Sequence, residues 1–146
     1  MITAIRRRLR NEKGVTLVEL LVVVVILGII AAIAIPSVGN IVENTRYNAA
    51  KADAITVLNA ANLYFADTPT APSVTVEVLK TSGFLQNAGK VPDAASVTKV
   101  SSGENTISAT ITFSGSKQLT LSSATITEIN ADTTKGSAVP AAGITI

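Results

Sequence analysis

"VTLVELLVVVVILGIIAAIAI", residues 15–35, is the stretch that decides the fold of this chain. Glu19 is the one charged residue in it, and Thr16 is the other polar residue. As an α-helix the stretch would be about 31 Å long, close to the ~30 Å hydrocarbon core of a bilayer. Its length therefore predicts a membrane-spanning helix, although the run of valines at 22–25 would by itself resemble a buried strand.

The charges are distributed unevenly along the chain. The net charge is +2, but the first 14 residues contain five basic residues and one acidic residue, which leaves residues 15–146 acidic. The positive-inside rule then predicts a cytoplasmic N-terminus and places the rest of the chain beyond the membrane. Without the basic leader, no cationic surface remains for counterion release, so no direct nucleic-acid binding is predicted.

Cysteine and histidine are both absent from the chain. Their absence excludes disulfides, thiolate or imidazole metal sites, and catalysis by Cys–His or Ser–His pairs. The sequence also lacks a glycine-rich phosphate loop. We therefore expect a protein that is not an enzyme and has no catalytic residue, cofactor or metal site.

Three interpretations of the apolar stretch are open. It is an uncleaved signal anchor, or a secretory signal peptide cut after Ala32-Ile33-Ala34, which has the small-x-small form of a signal-peptidase site, or a segment in which Glu19 has a role. A carboxylate costs ~2.5–3.5 kcal/mol at the centre of a membrane helix and less near its edge, where Glu19 can snorkel to the interface. The alternative is that Glu19 awaits a cation, and an amine created by cutting before Val15 would supply one.

The residues around this cut match a known family. Lys13-Gly14 followed by Val15-Thr16-Leu17-Val18-Glu19-Leu20-Leu21 resembles the cleavage and methylation motif of type IV prepilins and type II secretion pseudopilins. The resemblance extends from residue 6 to about residue 66, and it departs from the family at Val15, where phenylalanine is usual. It implies cleavage after Gly14, removal of leader 1–14 and N-methylation of Val15.

The resemblance also implies partners and a location. The chain would be a single-pass precursor in the cytoplasmic membrane, processed by a prepilin peptidase/methyltransferase, and then a subunit of a homo-oligomeric helical filament at the cell surface. Glu19 would neutralise the methylated amine of Val15 on a neighbouring subunit. An assembly ATPase, a membrane platform protein and minor pilins would take part in assembly.

Two other functions stay open. The chain is alternatively a pseudopilin of a type II secretion or DNA-uptake system, although it shows no recognisable calcium-binding loop of the kind that major secretion pseudopilins often have. A third interpretation is a single-pass membrane-anchored adhesin or binding module.

Residues 36–66 predict an amphipathic continuation of the helix. Pro36 lacks an amide donor and Gly28 is a weak helix former, so we expect the helix to break between them when it packs in a filament. The residues predicted to share one helical face are Ile41, Ala52, Ile55, Leu58, Asn62 and Phe65. Small residues at 49–50 and 60–61 would permit close packing on a sheet, and prolines within 67–73 end the helix.

Residues 67–146 predict a globular head. Residues 74–81 are either a strand or a short helix, and the resemblance favours a short helix or a loop. Period-two alternation predicts strands at 97–100, 107–113, 119–121 and 126–129, with Ile144 and Ile146 as a further edge strand. The expected fold is α+β, with a long N-terminal helix whose second half packs on a three- or four-stranded antiparallel sheet.

Overall fold

A computed structural model of the chain describes residues 16–146. Its main element is one long helix, α1 (Leu17–Asp67), which begins in the apolar stretch. The chain divides into two compact units between Val38 and Gly39, and each unit is described by itself. The leader and the further boundaries predicted from the sequence stay predictions.

In the first unit, described from residue 16 to Val38, the helix has almost no covered side chain. All of its large apolar residues are exposed, with Val22, the most covered, at 48%. This helix is long enough and apolar enough to cross a membrane. Because the protein itself buries none of its most apolar 18-residue window, the apolar surface is available to a membrane or to other chains.

The helix is continuous through Gly28 and Pro36, which the sequence marked as a break. A proline inside a helix removes one backbone donor and crowds the carbonyl four residues earlier, while the turns on either side keep their hydrogen bonds. The single chain therefore does not show the break at these two residues. Loss of helix between them on packing into a filament stays a prediction.

The second unit, residues 39–146, contains a five-stranded mixed sheet whose strands follow one another in chain order. The first three pairings are antiparallel, and the fourth, between β4 and β5, is parallel. The strands are β1 (Ser73–Thr75), β2 (Ser96–Thr98), β3 (Thr106–Ser114), β4 (Lys117–Ala124) and β5 (Ile144–Thr145).

The two edge strands of the sheet are β1, which pairs antiparallel with β2, and β5, which pairs parallel with β4. The predicted edge strand near the C-terminus is confirmed, since the Ile146 amide donates to the Thr120 carbonyl at 2.9 Å. The parallel direction of this pairing was not predicted. It arises because the chain leaves β4 through a helix and a loop and returns to the same edge of the sheet.

The ambiguous segment at 74–81 contains both of the predicted structures. Residues Ser73–Thr75 form β1, and the chain turns directly into a short helix, α2 (Val76–Thr81). The Thr75 hydroxyl accepts a hydrogen bond from the Val78 amide at 3.4 Å and so caps α2.

The strand predicted at 126–129 is wrong. These residues begin a helix, α3 (Ile126–Ala131), whose N-terminus is a capping box formed by Thr125 and Glu128. Two reciprocal side-chain hydrogen bonds start a helix in spite of the β-branched residues that follow the cap.

The core of the second unit lies between α1 and the sheet. Aromatic Tyr47 of α1 packs edge to face on Phe113 of β3, with ring centroids 5.2 Å apart. The buried residues of α1 recur with the helical period and are Tyr47, Ala50, Ala54, Val57, Leu58, Ala60, Ala61 and Phe65. The sheet contributes Val97, Ile107, Ile111, Phe113, Leu119 and Leu121 to the same cluster.

The face of α1 predicted to pack on the sheet is only partly correct. Leu58 and Phe65 are buried and Ile55 is partly buried, whereas Ile41, Ala52 and Asn62 are exposed. The buried stripe is centred on Tyr47 and the alanines at 50, 54 and 61, which the hydrophobic pattern ranked below isoleucine. Of the four small residues expected at the sheet, only Ala49 is exposed.

Candidate assembly site at the start of the long helix

Glu19 folds back onto the start of α1. Its Oε2 atom accepts hydrogen bonds from the Thr16 amide at 2.7 Å and from the Thr16 hydroxyl at 2.9 Å. The Glu19 amide donates in return to Thr16 Oγ1 at 3.2 Å. This reciprocal pair is a capping box with Thr16 at the N-cap position.

The capping box gives the carboxylate two functions within its own chain. It satisfies amide and hydroxyl donors at the exposed helix start, and it places negative charge at the positive end of the helix dipole. The sequence analysis missed this contact, although the pattern Thr-x-x-Glu at 16–19 is its usual signature. Both hydrogen bonds use Oε2, so within the described residues Oε1 accepts none.

Of the other predicted site residues, two lie outside the described part of the chain and two lie inside α1. Gly14 and Val15, at the predicted cut and methylation site, lie outside the described residues, as does the leader. Gly28 and Pro36 lie inside α1, and an added Cβ at Gly28 would meet no atom within 4 Å. The helix surface at Gly28 is therefore open to a neighbouring chain.

The second unit holds a polar cluster that the sequence analysis missed. Asp132 Oδ2 accepts hydrogen bonds from the Tyr47 hydroxyl at 2.7 Å and from Lys51 Nζ at 3.2 Å. Its Oδ1 accepts from the Thr134 amide at 3.1 Å and the Thr134 hydroxyl at 2.5 Å. These contacts join the middle of α1 to the segment that follows α3.

The cluster changes the acid–base behaviour of its members. Burial of Asp132 opposes ionisation, but the hydrogen bonds from Thr134, Tyr47 and Lys51 outweigh it and lower the pKa of Asp132 to about 2. Burial, together with the carboxylate of Asp132, raises the pKa of the Tyr47 hydroxyl. Asp132 is thus ionised at neutral pH and stabilises the fold through its hydrogen bonds. Among the described residues, no group of three or more acidic, histidine or cysteine side chains is placed to hold a metal ion.

A second set of polar contacts connects α1 to the rest of the globular unit, one helical turn before Tyr47. Lys117 Nζ contacts Glu43 Oε2 at 2.5 Å and also reaches the carbonyls of Gly136 and Ser137. The Ser137 amide donates to Asn44 Oδ1 at 2.9 Å. These bonds hold the C-terminal segment against the helix.

The described chain combines an apolar N-terminal helix, which has a carboxylate near its start, with a small α+β unit. Comparisons with known proteins find similarity in the N-terminal part of the chain. The model of the prokaryotic N-terminal methylation motif matches residues 9–35. The chain is 39% identical over 64 residues to the type II secretion system core protein G of Pseudomonas aeruginosa, a match that covers 44% of this chain and 45% of that relative.

These two matches confirm the resemblance of the N-terminal part of the chain to type IV pilins and type II secretion pseudopilins. The matched region spans a little under half the length of the curated relative. No solved structure matches the chain.

Proposed function

We propose that the mature chain begins at Val15 and is the structural subunit of a helical type IV pilus-like filament. The observation that carries this proposal is the apolar helix from Leu17 to Val38, which has its side chains exposed and a capped carboxylate at its start. Outside a bilayer, so much apolar surface is stable only when other chains cover it. A filament core of packed helices provides that cover.

Processing would prepare the helix for assembly. The methylation-motif match at residues 9–35 spans the predicted cut after Gly14 and the predicted N-methylation site at Val15. A prepilin peptidase/methyltransferase would carry out both steps and remove the basic leader. The membrane would hold the processed chain until an assembly ATPase, a platform protein and minor pilins bring subunits together.

Glu19 would act in docking. Its Oε2 accepts hydrogen bonds from Thr16 of the same chain, and no other described residue donates to the carboxylate. The methylated amine of Val15 from a neighbouring subunit would match the carboxylate in charge. Removing one partner of a buried ion pair costs ~3–5 kcal/mol, whereas the intact pair adds little net stability. Glu19 would therefore fix the register of neighbouring subunits more than it would strengthen their contact.

A pseudopilin of a type II secretion or DNA-uptake system is the second candidate. The observation that favours it is the 39% identity to a protein named as a type II secretion core component. Such a subunit would form a short periplasmic fibre instead of a long surface fibre. Fibre length in the native host separates the two candidates.

The first experiment determines the N-terminus and intact mass of the protein from native membranes and from sheared surface material. A chain that begins at N-methylated Val15, recovered in fibres, supports the proposal. In Glu19→Ala we expect normal processing with loss of fibres, and Glu19→Asp serves as the conservative control. Full-length chain in the presence of the native peptidase would leave a membrane-anchored binding module, and processed chain without surface fibres would favour the pseudopilin.

A further inference from the structure

We propose that residues 133–138 form a strap that opens and closes on α1, and that Lys117 holds the strap in its closed position. The strap follows α3 and leads towards the edge strand β5, and it includes the short 3₁₀ helix Gly136–Ala138. The proposal concerns the globular unit by itself, so it stands or falls independently of the proposed filament function.

The strap is fixed at its two ends and has little apolar support between them. At one end, Asp132 accepts a hydrogen bond from the Tyr47 hydroxyl of α1. At the other end, Val139 is buried in the apolar core. Within the described residues 133–138, Gly136 is the only buried residue, and it has no side chain to pack. Apolar packing of side chains therefore does not hold the strap on the helix.

The contacts that close the strap are polar. The Ser137 amide donates to Asn44 Oδ1 of α1 at 2.9 Å. Lys117 Nζ donates to the Gly136 carbonyl at 3.4 Å and to the Ser137 carbonyl at 3.3 Å. Both of these last distances exceed the roughly 2.7–3.2 Å of an ordinary N–H···O hydrogen bond, so each contact is weak. The strap is thus closed by a few contacts that separate easily.

Lys117 connects three parts of the globular unit through one ammonium group. Its backbone begins β4, its Nζ pairs with Glu43 Oε2 of α1 at 2.5 Å, and the same Nζ reaches the strap. The two side chains of the ion pair are 21% and 31% exposed, so dissolved ions have access to them. Because salt screens exposed charges and leaves apolar packing in place, ionic strength should act on the strap before it acts on the core.

Opening of the strap would uncover a defined part of α1. A Cβ at Gly136 would stand 2.6 Å from the Tyr47 Cβ, so the closed strap lies directly on the helix at this point. Tyr47 is fully buried, whereas residues 39–46 of α1 contain no buried residue. Segments with few buried apolar contacts open at a lower free energy than the whole domain. The strap would therefore open while the sheet and the rest of the core remain folded.

Lys135 provides a reporter for the open state. It is exposed within the strap, and the bond that follows it leads into buried Gly136. The residues after this bond form the 3₁₀ helix Gly136–Ala138, so a protease can bind them as an extended chain only when the strap is open. Trypsin cleavage after Lys135 therefore measures opening. The bond after Lys99, which precedes the exposed residues 100–103, is the internal reference.

The first test compares two lysine variants with the natural chain. Full-length chains in detergent are digested with trypsin, and mass spectrometry gives the initial rate of cleavage after Lys135 relative to that after Lys99. We expect Lys117→Gln to raise this ratio about fivefold, the change that loss of one typical hydrogen bond brings. Lys80→Gln is the matched control, because Lys80 also forms an ion pair, with Asp93, and contacts no strap residue. It should leave the ratio unchanged, and an equal rise in both variants would overturn the proposal.

The natural chain provides a test that needs no substitution. Between about 0.1 M and about 1 M salt the screening length falls from about 10 Å to about 3 Å, so the Lys117–Glu43 pair is weakened. The cleavage ratio should rise over this range in the natural chain and rise less in Lys117→Gln. A ratio that does not change with salt in the natural chain would contradict a strap closed by charge.

Hydrogen exchange followed by NMR distinguishes local opening from unfolding. In Lys117→Gln we expect faster exchange of the Ser137 amide, which donates to Asn44 in the closed strap, and unchanged exchange of the Ile111 amide in β3. Unchanged exchange at Ser137 would show that Lys117 does not hold the strap. Equal acceleration at Ser137 and Ile111 would show that the substitution destabilises the whole globular unit, and either result overturns the proposal.

Discussion

The Tyr47 hydroxyl donates a 2.7 Å hydrogen bond to the carboxylate of Asp132, 85 residues further along the chain. Tyr47 is fully buried in the helix, and its ring packs on Phe113 of the sheet. One side chain thus joins the helix, the sheet and the C-terminal segment. Its contribution to the stability of the globular unit can be tested directly.

Tyr47→Phe keeps the ring and removes the hydrogen bond to Asp132. Because the acceptor is a charged carboxylate, we expect the free energy of unfolding to fall by about 1.5 kcal/mol. Urea denaturation of the processed chain in detergent, followed by circular dichroism, measures this loss. Tyr64→Phe is the matched control, since Tyr64 makes no side-chain hydrogen bond within the described residues, and it should change the midpoint little. An equal loss in both variants would contradict the assignment.

Asp132 predicts acid sensitivity. Its pKa in the folded unit, about 2, lies below the ordinary value of 3.8, so the folded state favours the ionised form. The stability from this group is therefore fully present above its unfolded pKa and is lost as the pH falls through the folded pKa. Between about pH 4 and about pH 2, Asp132→Asn should lose less stability than the natural chain, although it is less stable near neutral pH. Parallel losses in thermal scans across this range would contradict the prediction.

Gly136 lies against the backbone of α1. A Cβ on this residue would meet the Glu43 carbonyl and would stand 2.6 Å from the Tyr47 Cβ. Since a helix backbone cannot move aside, Gly136→Ala should destabilise the globular unit by about 2 kcal/mol. Gly39→Ala is the matched control, because a Cβ there meets nothing within 4 Å and alanine is a better helix former. Opposite shifts of the thermal midpoint in the two variants are the expected result.

The elements predicted correctly from the sequence are those with a strong local signal. Helix α1 follows from a long apolar run, and β3 follows from the alternation at 107–113. Helix α3 was missed because the cap at Thr125 and Glu128 outweighs the strand preference of the following residues. The parallel edge strand was located from Ile144 and Ile146, but its direction depends on the path of the preceding loop.

The candidate assembly site could be predicted only in part from the sequence. Glu19 is identified by its charge in an apolar run, yet its contact to Thr16 was not predicted, because the same residues also fit a membrane-spanning helix in which Glu19 stands alone. The Tyr47–Asp132 contact could not be predicted, since no local pattern links residues 85 positions apart. The buried face of α1 was misjudged for a similar reason, because tyrosine and alanine signal burial weakly without knowledge of the facing sheet.

The capping box makes Thr16 a testable contributor to assembly. In Thr16→Val, Glu19 loses the hydroxyl donor at 2.9 Å, and the helix loses its N-cap side chain, which is worth about 1 kcal/mol. A carboxylate with fewer donors is harder to withdraw from water, so we expect normal cleavage and methylation but a fibre yield reduced about fivefold, in proportion to that free energy. Thr16→Ser restores the hydroxyl and should restore the yield, which is measured as the ratio of sheared fibre to processed membrane protein. Equal yields from the valine and serine variants would show that the hydroxyl plays no part in assembly.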